Sequence, residues 1–224
     1  VLALSIALPV FASDDGDTIY INSVSDLLSL AKSCAYDQWS VGKTVILQKD
    51  LSLEGMLWEP IPSFSGQFKG NGHTISDLTI TGQYSPAGLF GIVEEQGSIE
   101  SLSVRGIVSV SDSADTTTGG IVGINHGTLI NCQFTGVVTG DSEVGGIVGR
   151  NESEGTIDHS TARAIVTGKS STGGIAGYNL GAITGCTNVG SINTEYQEAS
   201  LDTDGFTAKM VDYINNKMAA ADDD

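Results

Sequence analysis

Positive charge is the scarcest resource of this chain: ten Lys and Arg stand against 27 Asp and Glu, a formal charge of −17. Nucleic acids and anionic membranes are held through clustered Lys and Arg, so this balance argues against both as partners. Aromatic residues make up 6% of the chain, few for the stacking platforms that accompany paired carboxylates in a glycosidase groove. Cysteine occurs three times, an odd number that leaves at least one thiol unpaired. The apolar run at 1–12, without Met at its start, is too short to span a bilayer. It has the length of a secretion-signal core, and Val10-Phe11-Ala12 fits a small-residue cleavage site.

What the chain has instead is repetition. Gly-Gly-Ile-Val-Gly stands at 119–123 and 145–149, Gly-Gly-Ile-Ala-Gly at 173–177, and a weaker Gly88-Leu89-Phe90-Gly91 precedes them. The offsets are 145 − 119 = 26 and 173 − 145 = 28 residues. Such a period marks units that cannot bury a face alone and must stack. Within each unit the apolar residues fall in three strand-length runs: the Ile-Val pair, then Leu129, Ile157 or Ile183, then Val138, Val166 or Ile192. A unit of that length has no room for a crossover helix, so the chain is expected to coil one turn per repeat. Equivalent residues then stack about 4.8 Å apart, with Ile121, Ile147 and Ile175 in one inward column. Each buried aliphatic side chain in such a column contributes about 1.5–3 kcal/mol. The glycines mark corners, through positive φ or close backbone approach. Asn125, Asn151 and Asn179 stand at one such corner, where Asn tolerates left-handed geometry and its amide can bond to the next copy.

The run 119–132, GGIVGINHGTLINC, with its following Gly-x-Val, resembles the repeat of the GLUG-motif proteins, and the likeness covers residues 88–193. It is tightest at the copies starting at 119 and 173. The copy at 88 lacks the second Gly and the Asn; that at 145 carries an extra Glu152-Ser153-Glu154 and has Asp158-His159-Ser160 in place of Asn-Cys. The resemblance implies an all-β, right-handed parallel β-helix, here of about six coils, in secreted or surface-attached bacterial proteins. Some of these are adhesin-like, and some accompany immunoglobulin-A-cleaving metalloproteases. It implies no catalytic residue inside the repeats, and no cofactor.

The expected organisation is a truncated signal peptide at 1–12, a strand and capping helix at 13–40, and a β-helix at 41–193. Its repeats are 88–118, 119–144, 145–172 and 173–193, and an acidic linker and C-terminal helix follow at 194–224. Thr18-Ile19-Tyr20-Ile21 reads as a strand, and Asn22 or Ser23 as the cap of a helix from Val24 to about Ala35. Leu27, Leu28, Ala31 and Cys34 lie on one face of that helix, which suits it to close the lower end of a coil stack. Trp58-Glu59-Pro60-Ile61-Pro62 reads as a rigid corner. Met210, Val211, Ile214 and Met218 have helical spacing, and that piece is similar to a helix that often follows the last repeat in the GLUG family, so the chain is expected to belong to something longer; the competing expectation is that this helix caps the upper end of the stack.

Candidate sites are few. The links around Asp112 and Asp115, and at Asp141 and Glu143, occupy the same place in successive repeats and are expected to gather carboxylates at one corner, as a contact for a protein or glycan ligand. No calcium-loop pattern accompanies them, so no metal is assigned. Cys132 and Cys186 share a slot two coils apart, about 9.6 Å, beyond the roughly 7 Å limit for a disulfide. His73 beside Gly70-Asn71-Gly72 is read as a corner hydrogen-bonding group. An enzyme reading would require a lyase base among several Asp, or paired carboxylates, on one coil face. Arg105, Arg150 and Arg163 are read as single residues at different points of the repeat, and Asp158-His159 as an isolated pair. The expected role is a non-enzymatic extracellular module for adhesion or spacing. The alternatives are a carbohydrate-active β-helix and an accessory domain of a secreted metalloprotease.

Overall fold

β-branched and glycine-rich runs repeated at near-constant spacing leave the backbone one economical way to satisfy its hydrogen bonds, which is to pair each run with its own copy. The computed structural model, describing residues 17–36, 38–110 and 116–193, has that arrangement. Strand β1 (Thr18–Ile21) leads into α1 (Val24–Ser33), then β2 (Thr44–Leu47) and β3 (Leu51–Ser52). The next turns are β4 (Ile61–Phe64), β5 (Gln67–Lys69) and β6 (Thr74–Gly82), then β7 (Phe90–Val93), β8 (Ser98–Glu100) and β9 (Ser103–Val110). After these come β10 (Thr118–Gly119), β11 (Val122–Asn125), β12 (Thr128–Ile130) and β13 (Gln133–Thr139). The following turn is β14 (Val144–Gly145), β15 (Val148–Asn151), β16 (Thr156–Asp158) and β17 (Thr161–Thr167). The last is β18 (Thr172–Gly173), β19 (Ala176–Asn179), β20 (Ala182–Thr184), β21 (Thr187–Asn188) and β22 (Ser191–Ile192).

Each strand pairs in parallel with its equivalent one turn away. One sheet runs β1-β2-β5-β8-β12-β16-β20, a second β4-β7-β11-β15-β19, a third β3-β6-β9-β13-β17-β21, and a short fourth β10-β14-β18. The chain is a parallel β-solenoid of about six turns. The anticipated three strands per turn become four, because Thr118-Gly119 and its copies pair as a short sheet of their own. Pro62 lies inside β4 and not in a corner, and Trp58 is buried, its Nε1–H donating to the carbonyl of Leu89 at 3.1 Å.

The inward column forms as expected. Ile121 and Ile147 are fully buried, and the N–H groups of Ile121 and Ile147 donate to the carbonyls of Ile147 and Ile175 at 2.9 and 3.0 Å. Phe64, Phe68 and Phe90 fill the lower core, with ring centroids 5.4–6.3 Å apart. Above them the Gly-Gly corner brings backbone close to the core. A Cβ on Gly119 would run into the carbonyl oxygen of Val122, and one on Gly120 into the Phe134 ring. Neither residue has positive φ, so close approach is what selects glycine there.

The three asparagines are not left-handed, contrary to expectation. They sit at the ends of β11, β15 and β19 and turn their amides along the stack. Asn125 Nδ2–H donates to Asn151 Oδ1 at 2.7 Å, and Asn151 Nδ2–H to Asn179 Oδ1 at 2.8 Å. Each Nδ2 also donates to a carbonyl of its own corner: Gly127, Gly155 or Gly181. The left-handed corner is the next one, at Ser101, Asn131, His159 and Gly185.

Helix α1 starts at Ser23, whose Oγ accepts from the Asp26 N–H at 3.2 Å while Asp26 Oδ2 accepts from the Asn22 N–H at 2.9 Å, a reciprocal cap. It buries Leu27, Leu30 and Cys34, with Leu28 and Ala31 at the margin, against β1 and β4. The segment 1–12 and the C-terminal helix expected within 194–224 lie outside the described residues.

Asn151 donates to one rung and accepts from another, so Asn151→Leu strands a buried donor on Asn125. We expect a loss of roughly 2–4 kcal/mol in denaturant unfolding, against about 1 kcal/mol or less for Asn179→Leu at the exposed end of the ladder.

Candidate functional site: the acidic corner

The links between β13 and β14 and between β17 and β18 leave the solenoid at the same corner, because the long strands before them are in register over their whole length. Of the four carboxylates expected there, Asp112 and Asp115 lie outside the described residues, and Asp141 and Glu143 are both engaged. Asp141 Oδ1 accepts from Lys169 Nζ at 2.7 Å, in the equivalent link one turn on. The Asp141 carbonyl accepts from the N–H groups of Lys169 and Ser170, and its own N–H donates to Thr116 Oγ1 at 2.8 Å.

Glu143 is held from two sides. Its Oε2 accepts from Thr117 Oγ1 at 3.0 Å and its Oε1 from Arg150 Nη1 at 2.9 Å. Its backbone is left-handed, φ 48°, as is that of Ser171 one turn later. Arg150, on the outward side of β15, also donates from Nε to Glu152 Oε1 at 2.6 Å, and its guanidinium lies 5.0 Å from the centre of the Tyr178 ring in the next turn. Partial burial works against its charge, but the Glu152 hydrogen bond and the charge of Glu143 outweigh that and raise its pKa. The corner is a charge-compensated tie between turns, with its two described carboxylates each facing a cation.

Sequence reasoning missed Arg150 as the hub of this corner. Its signal was the outward position between Gly149 and Asn151, in register with Ile124 below and Tyr178 above. Arg105 and Arg163 do not stand at different points of the repeat. Both register with Thr135, on β9 and β17, so they share one outward column two turns apart.

His73 Nδ1 lies 3.2 Å from Asp50 Oδ1 beside the turn. Asp50 is held below its ordinary pKa, first by the N–H of Thr74 and then by His73. His159 Nδ1 is 2.8 Å from Asp158 Oδ1. Among the described residues no three His, Cys, Asp or Glu side chains converge in a way that suits a metal ion, and no helix is long and apolar enough to cross a membrane.

The cysteines are free. Ser160 stands between Cys132 and Cys186: the Cys132 N–H donates to Ser160 Oγ at 3.1 Å, and the Ser160 N–H to Cys186 Sγ at 3.4 Å. Burial pushes the Cys34 and Cys132 thiols up to about 12, and raises that of the half-buried Cys186.

The GLUG motif matches residues 140–167, one full turn from the acidic link through β17. The matched turn is the one with the inserted Glu152-Ser153-Glu154, not the two copies that resemble the repeat most closely by eye. The chain is a β-solenoid that carries the GLUG motif. It is 36% identical over 155 residues to halomucin of Haloquadratum walsbyi, covering 63% of this chain and 2% of that protein. It is 30% identical over 137 residues to a protein provisionally named a Gly-rich membrane protein of Evansella cellulosilytica, covering 44% of this chain and 16% of that one. The chain therefore spans a small part of the curated relatives that it matches. A crystal structure provisionally named an immunoglobulin A1 protease, from Bacteroides ovatus, superposes with a TM-score of 0.46 and 15% identity, over 81% of this chain and 79% of that one. At that level no argument is drawn from it.

Two outcomes follow from this geometry. Arg150→Ala should cost about 0.5–1.5 kcal/mol at low salt and less in high salt, since the tie is half-exposed; equilibrium unfolding at two ionic strengths checks this. The raised thiols bind protons more tightly folded than unfolded. Their contribution is therefore intact below pH 9, the ordinary thiol value, and lost as pH rises towards about 12. Alkylation at pH 8 should label Cys34 and Cys132 only after denaturation, with mass spectrometry of the peptides as the readout.

Proposed function

We propose that this chain is a non-catalytic module of a longer extracellular or cell-surface protein, a stiff acidic spacer that presents its corners to a protein or glycan ligand. The observation that carries this reading is the acidic corner. Asp141 and Glu143, the described carboxylates of that corner, are both engaged: Asp141 pairs with Lys169 of the next turn, and Glu143 pairs with Arg150 of its own turn while accepting from Thr117 of the turn below. A general acid or base needs a perturbed carboxyl facing a reacting group, and a calcium site needs six to eight oxygens. The described corner holds each acid against a cation instead.

Support also comes from the company the sequence keeps. One relative is named halomucin and the other is provisionally named a Gly-rich membrane protein, and this chain matches only a small part of each, as a module would. The solenoid itself suits spacing, because each added turn lengthens the axis by about 4.8 Å without a new core design. The charge of −17 keeps such a surface solvated.

The test is retention without turnover. Beads coated with the full chain, flowed over glycan and matrix-protein arrays, should be held saturably on at least one surface. Incubation with uronate and neutral polysaccharides should release no new reducing ends or unsaturated products. Product release that depends on an acid of the described turns would assign a carbohydrate-active enzyme instead, and the absence of retention on every surface would leave spacing as the whole role.

A further inference from the structure

Charge is spread unevenly over the sheets of the solenoid. Lys69 on β5 registers with Glu100 on β8, and Arg150 on β15 is held by Glu143 and Glu152. Strands β9, β13 and β17, in the third sheet, break this pattern. Their sequences, SVRGIVSV, QFTGVVT and TARAIVT, contain Arg105 and Arg163 and no Asp or Glu, in a chain with 27 acids.

These strands are interior to their sheet. β13 pairs with β9 and β17, β9 also with β6, and β17 also with β21 and β22, so described turns flank the face on both sides. Both arginines are exposed and register with Thr135, two turns or about 9.6 Å apart along the axis. To one side of this column stand Ser103, Gln133 and Thr161, which offer hydroxyls and an amide; to the other stand the half-buried Val137 and Ile165.

The two arginines differ in their company. The register of β6 against β9 passes from Ile75 and Val104 to Leu78 and Gly106, so Ser76 and Asp77 both fall opposite Arg105. Asp77 Oδ2 accepts from the hydroxyls of Ser52 and Ser76 at 2.6 and 2.9 Å. The Arg105 charge also helps to hold Asp50 below its ordinary pKa, after the Thr74 N–H and His73. Arg163 has Thr135 below it in register, and Thr161 and Ile165 beside it on β17, none of them acidic. Positive charge therefore meets solvent most openly at Arg163.

The ligand class follows from what the face offers. The main chain of all three strands is already paired in the sheet, so an added peptide strand finds no edge there. Recognition is left to side chains: a guanidinium, which fits a planar carboxylate through two parallel hydrogen bonds, and the flanking hydroxyls and amide. The one aromatic residue of these strands, Phe134, is buried, so a neutral sugar has no ring to stack on and charge must supply selectivity. We propose that the face of β9, β13 and β17 binds a carboxylate-bearing polysaccharide laid along the solenoid axis. One carboxylate sits on Arg163 and another, two turns down, reaches towards Arg105, with sugar hydroxyls on Gln133 and Thr161. This surface is separate from the acidic corner, so either reading can fail while the other holds.

The experiment titrates the full chain with a short polyuronate oligomer, and with the same oligomer after its carboxyls are reduced to alcohols, by calorimetry at low and raised salt. Saturable binding of the polyuronate is expected, weakening as salt is raised, with none of the reduced oligomer. Arg163→Ala should weaken it roughly fivefold or more, and the double variant Arg105→Ala, Arg163→Ala should abolish it. Lys32→Ala, which takes the same charge from α1, should leave it unchanged, and circular dichroism checks that each variant keeps the parent's fold. Absence of saturable polyuronate binding overturns the proposal. So does equal binding of the reduced oligomer, an equal loss in Lys32→Ala, or tighter binding at these arginines of a sulfated polysaccharide or a polyglutamate peptide.

Discussion

Everything in this molecule depends on one constraint: a turn of about 26–28 residues cannot bury its own apolar face and must borrow a neighbour's. A turn offers a few inward side chains such as Ile147, Val148, Ile157, Ala162 and Val166, too few to enclose one another. Set in register with copies above and below, each becomes fully or nearly fully inaccessible to water, and the backbone groups of the strands between find partners on both edges. Glycine at the corner, asparagine at the strand end and β-branched residues between them are all consequences of that stacking.

The same constraint governs the polar residues. A buried amide is costly unless satisfied, and Asn125 and Asn151 are buried. Stacking turns that cost into specificity, since an Asn finds its partner only when the turns are in register. The lower end of the ladder shows the limit of the device. Among the described residues Asn125 Oδ1 faces no donor, because its register partner in the turn below is Val93. At the acidic corner, charge does a similar job near the surface, with Glu143, Arg150 and Tyr178 drawn from two turns.

Most of the fold was legible in the sequence because it is written several times over. The offsets of 26 and 28 gave the turn, and the Ile121, Ile147 and Ile175 column followed from the pleat. What was not legible lay where copies differ or where a short piece carries little pattern. Thr118-Gly119 is two residues long and shows no alternation, so its sheet was invisible. Left-handed geometry was assigned to Asn125, Asn151 and Asn179 from residue type, when their position at the strand ends favours the inward ladder. At the candidate site the carboxylates of the link were located, but their partners were not. Arg150 lies seven residues from Glu143 along the chain, and Lys169 comes from the next turn; only closure of the coil brings them together.

The central claim is the in-register pairing of turns, and nuclear Overhauser contacts in an isotope-labelled sample address it most directly. The account predicts cross-strand contacts that link Ile107 to Val137 and Val137 to Ile165, at offsets of 137 − 107 = 30 and 165 − 137 = 28 residues. The Asn125 and Asn151 amides should likewise be joined through space. Contacts shifted by one residue, or none between these turns, would contradict it.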